Sequence, residues 1–177
     1  DSFSQNSAGA ASWTVSDSAE DPSSNARGSA DQSYTATSTA GTSTVNARGS
    51  ASATSGTLVR QSDGTSSFRA EFSITEPTRF SATGSLSVSS PSGQCCVGAS
   101  ARLIGPTSFV SQVDTGDSGT TVNESGILQP GSYRLLLEAS VGMGFGAVAT
   151  PDAAGTASFD VGFEFGNAPD SDGDSLP

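Results

Sequence analysis

Three aspartates alternate in Asp170-Ser-Asp172-Gly-Asp174. That spacing can turn hard carboxylate oxygens toward one cation, and Ca²⁺ is the ion such oxygens take. The run lacks the glycine at position six and the closing glutamate of a full calcium loop, so a solvated acidic linker competes with the metal reading. Asp114 and Asp117, on the turn Asp-Thr-Gly-Asp, form a second, smaller set of candidate ligands. Cys95 and Cys96 are the two cysteines and are adjacent. Neighbouring Cα atoms lie ~3.8 Å apart, closer than the ~4.4–6.8 Å of an ordinary disulfide. A strained vicinal ring, bonds to another chain and free thiols therefore all stay open. Asn123-Glu-Ser125 is a glycosylation sequon.

Catalytic residues are not expected. Histidine is absent and all seven basic residues are arginine. That removes Ser-His-Asp and Cys-His nucleophile activation and Lys Schiff-base chemistry. Glycoside hydrolysis needs two carboxyls on one face about 5–9.5 Å apart. Asp160 and Glu164 share a strand face but lie ~13 Å apart along it. Glu71 and Glu76 straddle a strand end and share no obvious face.

These residues must be positioned by strands, since no segment carries apolar residues at helical spacing. Ile127–Val141, ILQPGSYRLLLEASV, has the largest apolar payload. Pro130-Gly131 turns the chain, and Tyr133, Leu135, Leu137, Ala139 and Val141 then alternate with Arg134, Leu136, Glu138 and Ser140, the period of a half-buried strand. Leu136 breaks the pattern by pointing outward. The outer face of this strand is therefore expected to be covered, by the N-terminal strands or by a neighbouring copy. Alternation recurs in Phe68–Ile74, Phe80–Val88, Val97–Leu103, Phe109–Val113 and Ala157–Phe165, with turns read at Ser62-Asp-Gly64 and Asn123-Glu-Ser-Gly126. The fold class is all-β, an antiparallel, jelly-roll-like sandwich of eight or more strands with an extended small-residue N-terminal region. Phe68, Phe72, Phe80, Phe109, Tyr133, Phe159 and Phe163 are the expected core aromatics.

Three segments follow: 1–57, Ser/Thr/Ala/Gly-rich strands or arm; 58–166, the sandwich; 167–177, the acidic tail. The first holds a repeat, Asn25-Ala-Arg-Gly-Ser-Ala30 and Asn46-Ala-Arg-Gly-Ser-Ala51. It also holds Ala11, Trp13 and Val15, alternating as a short strand that could be donated to a neighbouring copy.

Between Phe80 and Phe165, TRFSATGSLSV, ASARLIG, GILQPGSYRLLLEAS and GTASFDVGFEF resemble secreted bacterial sandwich domains. They are similar to domains accompanying PEP-type C-terminal sorting signals and to pre-peptidase C-terminal jelly rolls. The resemblance covers about half the chain, through the Leu-x-Pro-Gly-x-Tyr element (Leu128 to Tyr133) and the final Phe-Asp-Val strand. It implies a secreted or surface protein and supplies no catalytic residue. The aspartate run resembles the calcium repeats of dockerin-like and thrombospondin type 3 modules.

The net charge of −11 and pI of 4.1 disfavour nucleic acid and anionic membrane as partners. No apolar run reaches the ~18 residues of a membrane span. A start at Asp1 without Met, with Ser/Thr richness and no Lys, fits a mature extracellular or cell-surface chain whose signal peptide has been removed. The leading expectation is a non-enzymatic structural subunit of an extracellular filament, sheath or surface layer, its partners other copies of itself. The alternative is a Ca²⁺-assisted binder of surface glycans, or adhesin, using Trp13 and Phe145.

Overall fold

A computed structural model describes residues 12–21, 26–39, 42–54, 62–90, 96–143 and 154–167. Ten strands are present among them: β1 Ser12–Asp21, β2 Ala26–Thr39, β3 Thr42–Thr54, β4 Ser62–Ile74, β5 Thr78–Ser89, β6 Val97–Ile104, β7 Phe109–Asp114, β8 Gly119–Leu128, β9 Gly131–Met143 and β10 Ala154–Asn167. Sheet A has six strands in the order β1-β2-β3-β10-β5-β8, and sheet B has four in the order β4-β9-β6-β7.

The order follows from one long folded hairpin. β3 pairs antiparallel with β10, β4 with β9, β5 with β8 and β6 with β7. Successive rungs fall in alternate sheets and are stitched sideways by β10 to β5 and β6 to β9. Rolling such a hairpin gives the jelly roll. β2 and then β1 extend sheet A from β3 as an antiparallel meander. The small-residue N-terminal strands therefore continue a main sheet. They do not lie over the outer face of β9.

The core is wedge-shaped. At one end the inner rungs are small: Ala157 pairs with Ala51 and Val88, Val141 with Gly64 and Val97, and Ala139 with Ser66 and Ala99. At the other end Phe165 pairs with Phe80, and Phe72 with Tyr133. Phe80, Tyr133, Phe159 and Phe163 are buried, as is Phe68, while Phe72 and Phe109 pack half-buried against them. Phe72 stacks on Tyr133 at 5.5 Å, and Phe109 lies 6.2 Å from Phe80 and 6.1 Å from Phe163. Offset ring pairs at these distances are favourable. The Tyr133 hydroxyl donates to the Gln129 carbonyl at 2.8 Å, which satisfies its one buried polar atom.

At the narrow end the sheets meet almost backbone to backbone. A Cβ on Gly64 would lie 2.7 Å from the Ser52 carbonyl oxygen and 2.9 Å from that of Ser29, and one on Gly28 would run into the Asp63 carbonyl. Ser66, the buried polar side chain of this region, donates to the Asp31 carbonyl at 2.9 Å. Gly64 is thus buried inside β4 and is not the turn read from Ser62-Asp-Gly64. The glycine meets a close approach between sheets. The turn read at Asn123–Gly126 is likewise strand: β8 runs unbroken and pairs with β5 along its length. The turn before β9 is present, and Gly131 takes the positive φ of 151° that the Pro-Gly pair foreshadows.

Candidate functional site

Outward residues of sheet B align in rows set by the strand register. Arg69, Leu136, Arg102 and Val110 form one row across β4, β9, β6 and β7. Glu71, Arg134 and Ile104 form the next. Ile104 is 48% exposed and Val110 63%, with Leu136 half-buried between the arginine stems. Two of the three exposed large apolar side chains among the described residues therefore share this face, the third being Ile127. Arginine stems commonly cover apolar surface while the guanidinium stays in water. The result is an aliphatic strip framed by three cations on a protein of net charge −11. No described strand lies over it.

The cations are held in place. Arg69 Nη2 and Arg134 Nε both donate to Glu71 Oε1, the latter at 3.0 Å. These hydrogen bonds, Arg69 first and Arg134 second, hold the Glu71 carboxyl below its ordinary 4.5. Glu71 stays ionised, the opposite of what a general acid at neutral pH requires. On the far side Arg102 Nη2 reaches Gln112 Oε1 at 3.4 Å, and Gln112 Nε2 donates to Asp114 Oδ2 at 2.6 Å.

Asp114 and Asp117 do sit on one turn, and Gly116 takes its positive φ of 100° there. The two carboxylates have separate partners: Asp117 Oδ2 accepts from the Asp114 backbone N–H at 3.2 Å, and Asp114 Oδ2 accepts from Gln112. Among the described residues no group of three or more His, Cys, Asp or Glu gathers as a metal site. Thr115 ties the turn to β6, its hydroxyl accepting from the N–H groups of Cys96 and Val97 at 3.0 and 3.1 Å. This clamp holds Cys96 at φ 84°, a left-handed conformation costly for a side chain with Cβ. Asp170, Asp172, Asp174, Cys95, Ala11 and Phe145 lie outside the described residues, so the calcium run and the state of the cysteine pair do too.

Trp13 and Val15 stand in β1, the edge of sheet A, opposite Tyr34 and Gln32 of the same chain. Asn123 is exposed on β8, the other edge, opposite Thr83. Asp160 and Glu164 share the outer face of sheet A, and Asp160 is bound by Arg48 Nε at 3.0 Å. The sequence missed Ile104 and Val110 as surface residues. Leu136 was the one visible signal for this face, because its neighbours in the row come from other strands.

No family model matches the chain, and no curated protein matches it.

Proposed function

We propose that this chain is a non-enzymatic structural subunit of an extracellular assembly, whose sandwiches join through the outer face of sheet B. One observation carries the reading: Leu136, Ile104 and Val110 form an aliphatic strip between Arg69, Arg102 and Arg134, with no described part of the chain over it. An acidic copy of the same chain offers the carboxylates those arginines would meet. The acidic, Lys-free, Ser/Thr-rich composition fits an extracellular setting. Placement of β1 in its own sheet makes donation of Ala11–Val15 unnecessary for the fold, so joining by faces is favoured over strand donation.

Sedimentation velocity across a concentration series tests this. The wild type is expected to form polymers, and the Ile104→Asp, Val110→Asp double variant to remain monomeric at the same concentrations. A wild type that stays monomeric throughout would sink the proposal.

A further inference from the structure

The outer face of sheet B continues beyond the aliphatic strip. Toward the narrow end its next row is Ser67, Glu138, Ser100 and Gln112, and the one after is Thr65, Ser140, Gly98 and Asp114. The face therefore has two unlike halves. One is raised by arginine and aliphatic side chains. The other is low, built mainly of serine and glycine.

Turning the row order end for end brings the halves together. The row of Arg69, Leu136, Arg102 and Val110 then falls over Ser67, Glu138, Ser100 and Gln112, strand for strand. Arg134 falls over Ser140, and Ile104 over Gly98. Long side chains meet short ones, the shape fit that the core of an interface needs. The charges agree with the shapes. Arg69 and Arg134 are held by Glu71. Arg102 has only the neutral amide of Gln112 as its partner, and the exposed Glu138 carboxylate has none among the described residues. After the reversal Glu138 of one copy comes over Leu136 of the other, one strand spacing of ~4.8 Å from Arg102. The same approach occurs twice, once from each copy.

Building on the assembly reading, we infer that two copies pair through these faces. Their two-fold axis runs across the strands, between the Leu136 row and the Glu138 row. A face complementary to its own reversal names a second copy of this chain as its occupant. The strand lengths and spacings give the face about 600 Å². A pair then buries on the order of 1,200 Å², above the ≈ 1,000 Å² that a specific interface clears. The contact is isologous and closes on itself. The pair is thus the unit of the assembly, and pairs join through a further, weaker contact. Each subunit still adds two sheet spacings, ~20 Å, to a stack.

Two charge reversals test the pairing by sedimentation velocity, each variant first checked for wild-type melting by circular dichroism. Glu138→Arg sets cation against Arg102 of the second copy, and Arg102→Glu sets carboxylate against its Glu138. Alone, each is expected to raise the concentration needed for association about tenfold or more, as like charges in contact do. Mixed one to one, they should regain wild-type association, because both contacts between positions 102 and 138 then join a cation to a carboxylate. Ser67→Trp fills the low half without changing charge and should weaken pairing as well. If all three variants associate like the wild type while Ile104→Asp, Val110→Asp stays monomeric, the two-fold register is wrong and the sheet B contact stands. If the two reversals are monomeric both alone and mixed, the register is also wrong. If the wild type itself never associates, both proposals fall.

Discussion

The two ends of the sandwich solve the same packing problem with opposite materials. At the narrow end Gly28, Gly64, Ala51, Ala53 and Ser66 let the sheets touch through their backbones. At the wide end Phe72, Phe80, Phe109, Phe163 and Tyr133 hold them apart with stacked rings. Gly49 marks the changeover, since a Cβ there would run into the Phe159 ring and the Ser66 hydroxyl. A chain of only 33% hydrophobic residues can therefore close a core. It concentrates its large apolar volume at one end and needs almost none at the other.

The contrast can be broken from either side. Phe163→Ala at the wide end should cost about 3–5 kcal/mol, because the rigid rings around it cannot collapse into the space. Urea unfolding reads this as a lower midpoint at unchanged slope. At the narrow end the damaging change is an addition. Gly64→Ala puts a methyl against two carbonyl oxygens and should cost about 1–3 kcal/mol, the usual range for overpacking. A Gly64→Ala protein as stable as the wild type would mean that the sheets do not approach so closely. Ser66→Ala removes the donor to Asp31 O and should cost about 1 kcal/mol, checked by the same melt. Smallest of all, Ile104→Ser and Val110→Ser should change stability by no more than about 0.5 kcal/mol, as surface substitutions do. A large loss there would mean that this strip serves the fold and is not free for a partner.

The Glu71 triad gives a pH signature. Its carboxyl is lowered in the folded protein, so its contribution is complete above the ordinary value of 4.5 and is lost as pH falls through the lower folded value. A ¹³C-detected titration of Glu71 should give a midpoint below 4.5, and Arg69→Met should move it upward. An unmoved midpoint would mean that Arg69 does not hold the carboxylate.

Much of the architecture was legible in alternation alone. Phe68–Ile74, Phe80–Val88, Val97–Leu103 and the strand after Pro130-Gly131 all stand where the period of two puts them. The failures share a cause. Asp63-Gly64 and Asn123–Gly126 have turn composition, yet Gly64 answers a neighbouring sheet and Gly126 lies in the β8 ladder against Phe80. Local composition does not reveal a close approach from a strand distant in sequence. The same limit governs the site. Leu136 announced an outward apolar residue from its own strand, whereas its row with Arg69, Arg102 and Val110 exists only through register.

Electron microscopy of the purified wild-type protein bears most directly on the assembly. Face-to-face stacking of sandwiches predicts filaments with an axial repeat of ~20 Å, two sheet spacings per subunit. Isolated particles at every concentration examined would contradict it.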